Sequence, residues 1–157
     1  MILFLISEQS IIDLHSPLTV NGGITVAKLQ DHYDNNKFLD LEFIYRDVRP
    51  DQGCRFIVSN TENRSIIDSQ IGWTNFTLNK FIEMLINFPV ISYNGYFSHY
   101  DESFEWKWTQ QSDKEMYLIT IYSSGKVFTY YSSIKDIQEF GTAVLKDIDT
   151  AQDLDSI

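Results

Sequence analysis

Cysteine is nearly missing from this chain: Cys54 is alone among 157 residues. No intramolecular disulfide can form, and the expected compartment is a reducing one, the cytoplasm. Three prolines and seven glycines are too few for a low-complexity or linker-rich protein. No apolar run approaches the roughly 20 residues that a membrane-spanning helix needs. The apolar start Ile2–Ile6 is followed by no small-residue cleavage site and preceded by no basic leader, so it reads as a strand of the fold. Basic residues are also scarce, 12 against 22 acidic ones, for a formal charge of −10. A field of that sign repels phosphate backbones and anionic membranes and attracts basic partners. Neither nucleic acid nor a membrane is therefore expected as a ligand.

Signature motifs are absent too. The sequence contains no nucleophile elbow G-x-S-x-G, no phosphate loop G-x-x-x-x-G-K-[ST] and no dinucleotide fingerprint G-x-G-x-x-G. Its three histidines stand at positions 15, 32 and 99, with no spacing that pairs two of them on one helix face or strand. No metal, cofactor or catalytic residue is assigned, and the expected protein is not an enzyme.

What is present is an aromatic-rich globular pattern. Hydrophobic residues make up 43% and aromatic ones 15%, enough to exclude disorder over most of the chain. The length suits one domain burying about two-thirds of its unfolded surface. Turn residues at Ser16–Pro17 and Asn21–Gly23 precede four expected strands, 24–30, 37–46, 54–59 and 64–69. In the second, Leu39, Leu41, Phe43 and Tyr45 alternate with Asp40 and Glu42, the mark of a half-buried strand. From Thr77 the period changes: Leu78, Phe81, Ile82, Leu85, Ile86 and Phe88 recur at helical spacing, with Thr77 or Asn75 as N-cap and Pro89 as terminator. Strands return at 90–99, 104–108, 115–122 and 126–131, the last two joined by the hairpin signal Ser123–Gly125. A second helix spans 133–148, capped by Ser132 or Ser133, with Ile134, Ile137, Phe140, Val144, Leu145 and Ile148 on one face. Residues 149–157 read as an acidic, frayed tail.

The expected class is α+β: one domain over 1–148, with halves 24–88 and 90–148 that repeat a ββββα order and two helices packed on antiparallel sheets. That order resembles the Whirly and PUR-type fold, which implies two curved sheets backed by the helices.

Several candidate sites compete with structural readings. Asp31, His32 and Asp34, or His99, Asp101 and Glu102, are the best local metal-type clusters, and both fall in expected turns. Cys54, His99 and Asp101 form a conceivable triad, while Cys54 in a strand reads as a small buried hydrophobe. Paired carboxylates beside Trp106 and Trp108 suit glycoside chemistry. The alternation of Phe104, Trp106 and Trp108 with Glu105 and Lys107 reads instead as a strand burying one face. All four arginines, Arg46, Arg49, Arg55 and Arg64, fall within one 19-residue span. They read as hairpin-rim residues paired with Asp47, Asp51, Glu62 and Asp68, or as the cationic face of a nucleic-acid-binding sheet. The preferred site is the acidic hairpin Tyr100, Asp101, Glu102 and Glu105 with Asp113 and Glu115, whose carboxylates and aromatic anchors suit a basic protein partner.

A small acidic α+β domain of this size and element order resembles the immunity proteins of bacterial contact-dependent inhibition and polymorphic toxin systems. That resemblance implies a cytoplasmic toxin inhibitor that covers the active site of a basic catalytic domain, often a nuclease. The alternatives are a nucleic-acid-binding module of Whirly or PUR type and an uncharacterised carbohydrate-binding or hydrolytic domain.

Overall fold

The computed structural model describes residues 26–47, 49, 52–99 and 103–153. The strand expected at Ile2–Ile6, the turns at Ser16–Pro17 and Asn21–Gly23, the first residues of the strand expected from Ile24, and residues 154–157 lie outside them.

The described chain forms β1 (Ala27–Gln30), β2 (Phe38–Arg46), β3 (Gly53–Glu62), β4 (Ser65–Thr74), α1 (Asn75–Ile86), β5 (Tyr96–Ser98), β6 (Phe104–Gln110), β7 (Met116–Ser123), β8 (Lys126–Ser133) and α2 (Ile134–Thr150). β1 to β4 and β5 to β8 make two antiparallel meanders, each with its strands in sequence order. The duplicated ββββα order expected from the change of hydrophobic period is therefore present. No described helix is long and apolar enough to cross a membrane.

Period-two burial explains the strands. Tyr117, Ile119 and Ile121 of β7 are buried, whereas Leu118, Thr120 and Tyr122 are only half-buried. The helices carry apolar stripes at three- and four-residue spacing: Leu78, Phe81, Ile82 and Leu85 in α1, and Ile137, Phe140, Val144 and Ile148 in α2, all buried. The N-cap of α1 is Thr74, whose hydroxyl accepts the N–H of Thr77 at 3.3 Å. This is one residue before the nearest expected cap, because β4 runs directly into the helix. Ser133 caps α2 by accepting the N–H of Asp136 at 3.1 Å. Leu145, expected on the apolar face, is 44% exposed, since it follows Val144 by one residue and lies about 100° around the helix from it.

Three local departures matter. β3 extends through Glu62, so the expected four-residue link shrinks to Asn63 and Arg64, both at positive φ (48° and 67°). That pair of left-handed residues closes a tight hairpin whose twist matches its strands. The strand expected over 90–99 is reduced to β5, because Ile91–Tyr93 form a 3-10 turn and Asn94 and Gly95 take positive φ (52° and 78°). β2 bulges at Ile44, between Phe43 and Tyr45. Phe43 still faces inward opposite Phe56, but Tyr45 pairs with exposed Arg55 instead of joining Leu39 and Leu41 inside. One extra residue reverses the alternation beyond it. The reversal turns Arg46 inward, where its guanidinium donates to the carbonyl of Ile148 at 3.2 Å near the end of α2, a favourable place for a cation. Gln152 accepts the Arg46 N–H at 2.9 Å and Asp153 bridges Arg46 in parallel, so the chain after α2 lies along β2.

One contiguous core joins both sheets and both helices. α1 packs on β3 and β4, α2 packs on β1, β2 and β8, and the helices pack on each other. They cross tightly at Gly141, where an added Cβ would lie 2.6 Å from Cβ of Leu85 and 2.9 Å from the Ile86 backbone nitrogen. Glycine costs about 1 kcal/mol relative to alanine inside a helix, and here the close packing of two backbones offsets it. Gly141→Ala should therefore destabilise the fold by about 1–3 kcal/mol despite the better helix propensity. A urea unfolding curve showing an unchanged or raised midpoint would contradict the tight crossing.

Candidate functional site

The acidic residues singled out in the sequence divide by position. Tyr100, Asp101 and Glu102 lie outside the described residues. Glu105, half-buried near the start of β6, accepts a hydrogen bond from the Tyr96 hydroxyl at 2.6 Å. Two residues on, the Lys107 ammonium sits 5.3 Å from the Tyr96 ring centroid and 4.9 Å from that of Tyr122. Asp113 and Glu115 are exposed in the β6–β7 turn, where Asp113 Oδ1 accepts the Glu115 N–H at 3.1 Å. β6 rises about 3.4 Å per residue, so Glu105 is roughly 17 Å from the end of the strand that leads to this turn. The structure places the described acids at opposite ends of one strand rather than together.

The arginines also separate. Arg46 holds the end of α2, and Arg55 on the outer face of β3 donates to the Gln70 side chain at 3.3 Å. Arg49 pairs with Asp47, as the rim reading expected; the guanidinium Nε donates to both carboxylate oxygens at 2.9 and 3.1 Å, and Nη2 is closer still. These bonds hold the Asp47 carboxyl down at about 2. Arg64 stands apart in the β3–β4 turn.

Catalytic readings find little geometry. Cys54 is buried opposite Trp73 on β4, and burial pushes its thiol up to about 12. At neutral pH it is protonated, as a small buried hydrophobe would be. His99 is buried with its ring stacked on Trp73, centroids 5.9 Å apart at 20°. The third member of the conceivable triad, Asp101, lies outside the described residues. Trp106 is fully buried and stacked on Phe140, so its ring offers no face for a sugar or a base, and the half-buried Trp108 packs edge-on against Phe88. No cluster of three or more histidine, cysteine, aspartate or glutamate residues able to hold a metal exists among the described residues.

Asp31 has a structural task. Only 4% exposed, it accepts the N–H groups of Tyr33 (2.8 Å) and Asp34 (3.0 Å) on Oδ1 and that of Tyr131 (2.7 Å) on Oδ2. The His32 N–H donates to the Tyr131 carbonyl at 2.8 Å. The β1–β2 loop is thus fastened to β8 of the other sheet. Nearby, the Tyr130 hydroxyl donates to Asn60 Oδ1 at 2.7 Å and lies 3.1 Å from the Phe38 carbonyl. Burial raises this phenol well above its ordinary pKa.

The fastening leaves a cleft between the β1–β2 loop, the Asn63–Arg64 turn and the outer edge of β8, with a volume of about 550 Å³. Polar groups dominate its lining: Asn36 and Lys37 from the loop, Thr61 and Arg64 from the second hairpin, and Thr129 from β8. Lys37 donates to the Thr129 hydroxyl at 3.2 Å across 92 residues of sequence. Sequence reasoning missed this site because its walls come from a loop, a turn and an edge strand far apart in the chain, whose polar residues are ordinary turn and strand-face chemistry.

Two measurements check these assignments. Asp31→Ala should cost about 2–4 kcal/mol, because three N–H groups lose a charged acceptor at once; a loss under half a kcal/mol in chemical denaturation would show that the loop is not held this way. Asp47, whose folded pKa is depressed, adds stability that is fully present above its ordinary value of 3.8 and lost as pH falls toward about 2. The stability difference between the native chain and Asp47→Asn should therefore shrink across that acid window and stay flat from pH 5 to 7. Comparison of the chain with protein-family models, curated proteins and solved structures finds no match to any of them.

Proposed function

We propose that the chain is an immunity-type inhibitor that binds a basic toxin domain in the cytoplasm and covers its active site, without catalysing a reaction itself. The observation that carries this reading is the net charge of −10. Many of its carboxylates are exposed, among them Glu62 and Asp68 on the first sheet and Asp113 and Glu115 in the β6–β7 turn. Such a field accelerates encounter with a basic partner and disfavours acidic ones. The duplicated ββββα order, which resembles Whirly and PUR-type folds, supplies a rigid frame with two broad outer sheet faces for contact. The nucleic-acid alternative is weaker. It needs Arg46, Arg49, Arg55 and Arg64 on one surface, whereas Arg46 is turned toward α2 and Arg49 is occupied by Asp47.

The decisive experiment is co-purification of the tagged chain from its own cells at low salt, with the recovered partner then expressed alone and together with the chain. A strongly basic partner should be recovered in equal amount and lose its toxicity when the two are coexpressed. Its association rate should fall severalfold in the Asp113→Lys, Glu115→Lys double variant and fall again as the Debye length shrinks from about 10 Å at 0.1 M salt to about 3 Å at 1 M. Recovery of no basic protein, or of one whose toxicity is unaffected, overturns the proposal.

A further inference from the structure

We infer that the cleft beside the Asn63–Arg64 turn binds a small molecule bearing a phosphate monoester on a hydroxyl-rich body, the chemistry shared by a sugar phosphate and a mononucleotide. This site is independent of the partner-binding reading. Its volume of about 550 Å³ lies in the range of small-molecule sites, roughly 300–1,000 Å³, and its polar lining suits a hydrophilic ligand.

In a chain of net charge −10, the cleft is lined by as many cations as acids. Of the two acids in its lining, Glu62 pairs with Lys126 at 3.6 Å, and Asp34 keeps its charge while its Oδ1 accepts the Asn36 N–H at 2.9 Å. The two cations that line it, Lys37 and Arg64, pair with no carboxylate among the described residues. Among the described residues, Lys37 meets the Thr129 hydroxyl and the face of Tyr130, 5.5 Å from the centroid. A point-charge ammonium and a planar guanidinium fork are the two standard donors to phosphate oxygens. The side-chain amides of Asn36 and Asn63, which line the same cleft, supply donors and acceptors for hydroxyl groups.

Arg64 adds an independent argument. It occupies the left-handed region at φ 67° in a two-residue turn, where glycine would meet no steric cost. A bulky side chain held there is explained by what the side chain does, since the turn itself would be better served without it. Glycine at this position also gives a clean test, because it removes the guanidinium and the strain together.

The experiment is an amide NMR titration of the full chain at low ionic strength with glucose 6-phosphate, adenosine monophosphate, inorganic phosphate, glucose and adenosine. Saturable shifts centred on Lys37, Asn63 and Arg64 are expected with the two esters at sub-millimolar concentration, weaker ones with inorganic phosphate, and none with glucose or adenosine. Whichever ester binds more tightly identifies the body that the amides favour. Arg64→Gly should keep or raise the melting temperature while weakening ester binding by about tenfold or more, the loss of a charge-assisted contact. The inference is overturned if the esters cause no saturable shift, if inorganic phosphate binds as tightly as they do, or if Arg64→Gly binds them unchanged.

Discussion

Trp73 is the residue around which the two halves of the molecule are organised. It is the last inward-facing residue of β4, and its indole meets Phe56 of the same sheet, Phe81 of α1, Phe97 and Phe104 of the second sheet and His99 just after β5, at centroid distances of 5.0 to 6.0 Å. Edge-to-face and tilted contacts of this kind add roughly 0.5–1.5 kcal/mol per pair to the area that they bury. Phe81 extends the cluster to Trp106, and Trp106 stacks on Phe140 of α2. Two meanders that share no hydrogen-bonded ladder are thus joined by rings, with the helix pair closing over them at Gly141.

A second joint, made of hydrogen bonds, lies at the Asp31 and Tyr130 end. There the β1–β2 loop is fastened to β8 through the buried carboxylate, and Tyr130 reaches Asn60 across the sheets. Asp31, Asn60 and Tyr130 are all buried, so these bonds are worth more than surface contacts and costly to leave half-made. The proposed partner binding through an acidic exterior and the proposed ligand binding in a cleft lined by Lys37 and Arg64 as well as Asp34 and Glu62 are compatible, since screening separates charges that are more than about 10 Å apart at 0.1 M salt.

The residues chosen from sequence as a binding surface illustrate why charge is easier to read than place. Glu105, Asp113 and Glu115 are close in number, yet a strand carries Glu105 away from the turn that holds the other two. Lys37, Arg64 and Thr129 are far apart in number and line one cleft. No spacing rule connects them, because they lie on a loop, a turn and an edge strand brought together by the packing of the two sheets.

By itself the sequence determined the class and order of the elements. Alternation at Tyr117, Ile119 and Ile121 and the helical stripe Ile137, Phe140, Val144 and Ile148 are local periodicities that hold wherever one face must be buried. It also determined the sign of the field and the buried character of Cys54 and Trp106. Only the tertiary structure decided the bulge at Ile44 that turns Arg46 inward, the fastening of Asp31 to Tyr131, the exposure of Leu145 and the cleft beside Arg64. Each of these depends on which distant backbone or side chain lies opposite, and residue spacing along a chain carries no record of that.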